Sequence, residues 1–262
     1  MFQYAFYLRL KKRHPLSIYC FDIAQAQNCH NGYELDKIFH THSYRKARRF
    51  RRVERHCPKL LRRFYVVKQK NSLEYDSSLF VSCRLLTSYV GFWQSEKYFQ
   101  SVSGKVGEAF AFNEKMLNAK TIEFATFLKG SDAVSVHVRR GDYLQESDER
   151  GLCSLSYYKT AITYIKESIE SPVFVFFSDD INWVKDNIPC DRAEYVIWNQ
   201  GEDGWQDMYL MSCCKHNIIA NSSFSWWGAW LNPNKEKTVI APRQWFINSD
   251  NYDILPEQWI KL

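Results

Sequence analysis

Ala133-Val134-Ser135-Val136-His137-Val138-Arg139-Arg140-Gly141-Asp142 is the stretch that decides the fold. A run rich in β-branched side chains meets two arginines, a glycine and an aspartate. That pattern predicts a strand over Ala133 to Val138 opening into a charged loop. The two-residue period of a strand puts His137 and Arg139 on one side. Downstream the alternation continues. Ser156 to Ser168 reads as a helix, and Val173 to Phe177 as a strand whose unbroken apolar run suits burial in a parallel sheet. A short helix starts at Asp180 and ends before Pro189. Tyr195 to Trp198 reads as a strand, Asp203 to Cys213 as a helix and Asn217 to Ala220 as a strand. Ser222 or Ser223 caps the next helix, and Thr238 to Ala241 is the last strand. Strands alternating with helices define a doubly wound α/β domain. Ligands of such sheets sit outside the carboxyl ends of the strands. The loops at 139–151, 178–180, 199–204 and 221–225 occupy those ends.

Before this region the signals are weaker. Residues 1 to 12 read as a helix with Phe2, Ala5, Phe6 and Leu8 on its apolar face, and Leu16 to Phe21 as a short strand. Residues 44 to 65 read as a basic helix, Arg84 to Phe92 as a strand, and a helix is expected from near Gln94. Ala119 to Lys129 reads as a helix that Gly130 ends. Two domains are therefore expected, 1–130 and 131–262.

Composition sets the outer bounds. The chain has 262 residues, enough for one large domain or two of about 130 residues. Hydrophobic residues at 45% and charged residues at 24% exclude a disordered or fibrous chain. Aromatics reach 16%, so rings remain for a ligand surface once a core is built. No apolar run approaches the ~18 residues of a membrane span. The N-terminal apolar residues precede Lys11-Lys12-Arg13, the reverse of a secretion signal. Eight cysteines with no C-x-x-C pair fit free thiols in a reducing cytoplasm better than disulfides or a zinc site. The net charge of +6 is local, because residues 44 to 70 carry twelve Lys/Arg against the single acid Glu54.

Three clusters carry chemistry. In the first, His137, Arg139, Arg140 and Asp142 stand at a strand end. Two guanidiniums there suit a diphosphate, or equally pair with Glu146, Asp148 and Glu149. Gly141 is expected to let the backbone turn. The second is Asn221-Ser222-Ser223-Phe224-Ser225-Trp226-Trp227-Gly228-Ala229-Trp230, where hydroxyl residues meet a helix start that favours anions. Simple N-capping accounts for one of these serines, and the tryptophans read as core. The third is Phe177-Ser178-Asp179-Asp180, with Asp207 further on. Asp180 reads as a helix cap. Asp179 suits a ribose or base, and the absence of an Asp-x-Asp weighs against a metal-dependent nucleotide-sugar site.

Together these clusters, with Met1-Phe2-Gln3-Tyr4-Ala5-Phe6 and Gln94-Ser95-Glu96-Lys97-Tyr98-Phe99, resemble the bacterial α-1,2-fucosyltransferases of glycosyltransferase family 11. The resemblance spans nearly the whole chain. It implies a GT-B-like fold of two Rossmann-like domains, with an acceptor-side N-terminal domain and a donor-binding C-terminal one. The usual first strand and a Gly-rich loop ending in Gly-Asn-Gln would precede Met1, so the N-terminal domain is expected to be incomplete. The resemblance further implies a GDP-β-L-fucose donor, no metal and no other cofactor. It implies inversion to an α-1,2 link on a galactose-containing acceptor in cell-surface glycan synthesis. Carried over residue by residue, Arg139 holds the pyrophosphate and offsets charge on departing GDP. His137 and Asp207 contact the guanine side, and Ser222, Ser223 and Phe224 contact the phosphates. Arg140 and Asp179 complete the donor set, and Asp142 is the base for the acceptor hydroxyl.

Two rival readings remain. The basic segment could bind nucleic-acid phosphates. Its slight aromatic content and the lack of a nucleic-acid motif favour a solvated helix or a peripheral contact with anionic lipid at the inner membrane face. A carbohydrate-binding pseudoenzyme is the second rival, because the Gly-rich loop is missing from the sequence.

Overall fold

The computed structural model describes residues 1–17, 19, 32–41, 66–70, 74–80, 87–141, 151–246 and 253–262. The expected helix at 44–65 and the loop residue Asp142 lie outside them. The chain forms two compact units, Met1–Asn113 with Asn251–Pro256, and Glu114–Asp250 with Glu257–Leu262. The expected boundary at 130 falls inside the second.

In the first unit, α1 (Phe2–Arg13) places Lys11, Lys12 and Arg13 in its last turn, where they complement the helix dipole. Leu16 and Ser17 lie in a turn rather than opening a strand. After α2 (Leu35–Ile38), β1 (Val66–Lys68) pairs in parallel with β2 (Ser88–Val90). The helix expected from Gln94 is broken into 3-10 turns, and α3 proper is Ser103–Ala109. The first of these turns forms because Ser95 Oγ accepts from Lys97 N at 3.2 Å. An aromatic cluster makes the core, with Phe6 stacked on Trp93 at 4.4 Å and Tyr98 edge-on to Phe6 at 5.7 Å. Trp93 has φ 56°, a conformation that costs a bulky residue about 1–3 kcal/mol. Gln69 Oε1 holds that turn by accepting from Phe92 N and Trp93 N at 2.9 and 3.1 Å.

The second unit is the doubly wound domain. Its helices and strands are α4 (Ala119–Lys129), β3 (Ala133–Val138), α5 (Leu155–Ser168), β4 (Val173–Ser178) and α6 (Ile181–Asn187). They continue as β5 (Ala193–Val196), α7 (Trp205–Cys213), β6 (His216–Ile218), α8 (Ser223–Leu231), β7 (Val239–Ala241) and β8 (Ile260–Lys261). All pairs are parallel, in the order β5-β4-β3-β6-β7-β8. Numbered within the unit this is 3-2-1-4-5-6, the doubly wound order whose switch point lies between its first and fourth strands. The sequence pattern misses β8, a two-residue edge strand too short for an alternation to show. It also sets β5 two residues late.

Alternate residues divide the sheet between two layers. Val134, Val136, Phe174, Phe176, Ile218 and Ile240 pack with Tyr158, Ala161 and Ile165 of α5 and Val184 of α6. On the strands' other side, Asn217 Nδ2 donates to Ser135 Oγ at 2.7 Å and to Met211 O of α7 at 2.9 Å. α7 and α8 run side by side, and Gly228 sets their spacing. A Cβ at Gly228 would lie 3.0 Å from Met211 Cβ and 3.1 Å from its Sδ. The tryptophans of α8 are core as expected, with Trp226 and Trp227 buried and Trp226 packed on Trp259 at 5.3 Å.

Replacing Gly228 with Leu should therefore force α8 off α7 and cost about 1–3 kcal/mol or more. A urea midpoint equal to that of the wild type would show that this contact is not tight.

Candidate active site

The switch point is a physical gap. The ladder between β3 and β6 ends at Val136↔Ile218, whereas β3 and β4 stay paired to Val138↔Ser178. The strand ends near the gap still need partners for their carbonyls. Tyr158 Oη donates to His137 O at 3.2 Å. Tyr157 Oη lies 2.7 Å from Ile219 O and 3.1 Å from Ile240 O. Burial pushes both phenols well above their usual range, so they stay donors. These two tyrosines were missed in the sequence. Their visible signal was a polar tip on the buried face of α5.

His137 ends β3 on the layer of α7 and α8. It is 6% exposed, and its ring centroid is 5.8 Å from that of Phe224 at the start of α8. Burial lowers its pKa to about 3, and the Arg139 charge acts in the same direction. The imidazole is neutral, and Nδ1 is buried without a hydrogen-bond partner among the described residues.

The arginines are organised by the end of β4. Arg139 Nη1 is 3.2 Å from Asp179 Oδ2. Arg140 N donates to Asp179 Oδ1 at 2.9 Å. Arg140 Nε donates to Asp180 Oδ2 at 3.3 Å, and its guanidinium lies 3.8 Å from the centre of the Trp183 ring. Asp180 also caps α6, as expected, accepting from Trp183 N on Oδ1 at 3.1 Å. Asp179 and Asp180 therefore hold the two arginines; Glu146, Asp148 and Glu149, the alternative partners the sequence offers, lie outside the described residues. Gly141 is not needed for a left-handed backbone, since its φ is not positive. A Cβ there would lie 3.0 Å from Asp179 Oδ2, a tight contact that the carboxylate would have to relieve by shifting.

The second cluster meets this one across the gap. Ser222 caps α8, its Oγ accepting from Phe224 N at 3.4 Å, while Ser223 is exposed in the first turn. Asn221, to which no role had been given, donates from Nδ2 to Gly151 O at 3.0 Å and Trp245 O at 3.3 Å. The structure thus brings His137, Arg139, Arg140, Asp179, Ser222, Ser223 and Phe224 to one sheet edge. Asp207 belongs to a separate hydrogen-bonded group in the first turn of α7. Its Oδ1 accepts from Asn199 Nδ2 at 2.9 Å, and burial raises its pKa to about 7 against that hydrogen bond.

A parallel sheet whose ladder stops beside a helix start, with two arginines after β3 held by the end of β4, is the kind of place where α/β domains bind phosphorylated ligands. The family profile described as Glycosyl transferase family 11 matches residues 44–262. The chain belongs to that family. It is 39% identical over 202 residues to an alpha-1,2-colitosyltransferase of Escherichia coli, covering 74% of this chain and 69% of that one. It is 38% identical over 161 residues to the O-antigen biosynthesis glycosyltransferase WbnK of Escherichia coli, covering 58% and 53%. A galactoside alpha-(1,2)-fucosyltransferase 1 of Leontocebus fuscicollis is 34% identical over 103 residues, covering 37% and 28%. Among the described residues, no helix is long and apolar enough to cross a membrane.

Asp207 makes a pH prediction. Its folded pKa of about 7 exceeds the ordinary 3.8, so between these values the folded state holds the extra proton. Stability then falls as pH rises through that window. Asp207→Asn keeps an acceptor for Asn199 and removes the loss. The variant should gain on the order of 2–4 kcal/mol over wild type between pH 4 and 8. Parallel urea midpoints of the two proteins across that range would refute the assignment.

Proposed function

We propose that this chain transfers L-fucose from GDP-β-L-fucose to the 2-hydroxyl of a galactoside, with inversion and without a metal. The reading includes a GT-B-like arrangement, in which the second unit holds the donor and the first serves the acceptor. It also includes a place in cell-surface glycan synthesis on the cytoplasmic side. The observation that supports it best is Arg139, held by Asp179 just past the carboxyl end of β3, the strand whose ladder to β6 has already stopped.

The chemistry needs those parts. As the acceptor oxygen attacks the anomeric carbon from the face opposite GDP, the bond from that carbon to the phosphate oxygen breaks. The electron pair leaves with GDP, and negative charge grows on its diphosphate. A fixed guanidinium and the N–H groups of a helix start stabilise charge at that point without reorganising. Asp142, four residues after the end of β3 in the sequence, is assigned the proton of the 2-hydroxyl. His137 and Asp207 take the guanine side, and Ser222, Ser223 and Phe224 the phosphates. Arg140, stacked on Trp183, backs the donor site. The segment 44–70 offers the positive charge for a peripheral membrane contact.

A second donor has a specific observation behind it. The 39% identity to an alpha-1,2-colitosyltransferase makes a colitosyl donor the alternative. GDP release should be measured from both donors, with lactose and other β-galactosides as acceptors and EDTA present. Acceptor-dependent release from GDP-fucose supports the proposal. Release from the colitosyl donor alone replaces it, and binding of glycan without GDP supports the pseudoenzyme reading. Loss of turnover in EDTA removes the metal-independent step.

Two variants divide the roles. Arg139→Ala should lower kcat/KM by at least roughly 100-fold with the fold kept; wild-type turnover would take Arg139 out of the mechanism. Asp142→Asn should lower kcat more than donor affinity, whereas a loss confined to donor binding would make it an orienting residue.

A further inference from the structure

The polar group around Asp207 has a direction built into it. Amide side chains can be flipped, so their orientation has to be deduced from unambiguous donors. Two such donors occur here. The backbone N–H of Thr121 donates to Asn118 Oδ1 at 2.8 Å, where Asn118 caps α4. This leaves Asn118 Nδ2 to donate to Asn199 Oδ1 at 3.0 Å. The indole N–H of Trp198 can only donate, and it reaches Thr121 Oγ1 at 3.4 Å. The Thr121 hydroxyl therefore points its own proton at Asn199 Oδ1, 3.2 Å away. Both chains converge on the oxygen of Asn199. Its Nδ2 has to face the other way, where it donates to Asp207 Oδ1 at 2.9 Å. The backing is rigid. Asn199 is 7% exposed and Thr121 and Gln206 are fully buried. Gln206 Oε1 accepts from Asn118 N at 3.0 Å, and its Nε2 donates to Asp203 Oδ1 at 2.8 Å.

We infer that Asn199, set by Asn118 and Thr121, is a positioning residue that holds Asp207 as a hydrogen-bond acceptor for the N–H edge of the donor's nucleobase. This rests on the donor reading above and goes beyond it, because it names what makes the base site selective. An N–H aimed at a carboxylate favours its ionised, acceptor-only form. A ligand meeting Asp207 must then bring donors. Among common nucleobases, guanine offers two adjacent ones, its ring N–H and its exocyclic amine. The hypoxanthine of inosine diphosphate keeps the first and lacks the second. Adenine has no ring N–H on that edge. The charged side chains on the elements around Asp207 are Glu202 and Asp203 in the preceding turn, the latter held by Gln206, and Lys120, Glu123 and Lys129 on α4; α8 carries none.

The test is the affinity of the full chain for GDP and inosine diphosphate, measured by calorimetry from pH 5.5 to 8.5. Wild type should prefer GDP, more so as Asp207 ionises. Asn199→Ala should weaken GDP about tenfold or more and shrink the preference for GDP over inosine diphosphate. It should also move the acid limb of GDP binding to higher pH. With donor sugar, the loss should fall on the donor KM more than on kcat. Asn118→Ser keeps a cap for α4 while removing the amide donor, so it should shift selectivity in the same direction with little loss of thermal stability. In the Asp207→Asn background, Asn199→Ala should change the nucleotide ratio no further. A folded Asn199→Ala with wild-type affinity, ratio and pH profile overturns the inference alone. If that variant does not fold, Asn118→Ser decides in the same way. A wild type that binds neither nucleotide overturns the donor reading and this inference with it.

Discussion

The parallel ladder between β3 and β6 stops at Val136 and Ile218, and the site depends on that stop. A continuous sheet would offer no crevice. A split one leaves strand-end carbonyls that must be bonded or hydrated, and a buried orphan costs on the order of 1–3 kcal/mol. Tyr157 and Tyr158 meet the carbonyls of Ile219 and His137 from the α5 layer. The gap is thus held by donors that occupy only one of the two faces. On the other face His137 lies against Phe224 at the start of α8.

The charges at the gap are arranged by acids rather than left to solvent. One carboxylate, Asp179, touches Arg139 with one oxygen and the backbone of Arg140 with the other. An arginine that forms its ion pair before a ligand arrives loses less side-chain freedom on binding. A Cβ at 141 would press on Asp179 Oδ2 at 3.0 Å, so any other residue there would push this carboxylate from its place between the arginines. Arg140 is different in kind. Its guanidinium is shared between Asp180 and the Trp183 face, and so it ties the loop after β3 to the cap of α6.

Much of this was legible in the sequence. The strand Ala133–Val138 and the helix Ala119–Lys129 match their predicted limits, because each has a clear period and a clear stop. Asp180 was readable as a cap from residue type and place alone, and Ser222 as one of two candidates with Ser223. Long-range partners were not readable. Nothing in the local pattern says that Asp179 meets Arg139, or that Gly141 lies against a carboxylate from the end of another strand. The strand order was likewise invisible, since alternation fixes the class of sheet and not its permutation. Nor could the pattern separate a helix from consecutive 3-10 turns after Gln94, where single caps such as Ser95 act over three residues.

The two ends of the sheet show why the carboxyl end is the functional one. The amino end is also polar, but its groups are satisfied. Asn232 Nδ2 donates to Cys214 O at 2.7 Å and to Asn217 Oδ1 at 2.8 Å, and Lys237 Nζ reaches the carbonyls of Ala229, Trp230 and Asn232. His216 Nδ1 accepts from Thr238 N at 3.0 Å. At the carboxyl end, His137 Nδ1 is buried with no hydrogen-bond partner among the described residues, and Asp207, half-buried, accepts from Asn199 with its pKa raised. Burying polar groups is tolerable when each has its partner and costly when it does not. The amino end therefore spends its polar residues on stability. At the carboxyl end the buried His137 nitrogen has no partner among the described residues, a cost that a hydrogen bond to it would recover.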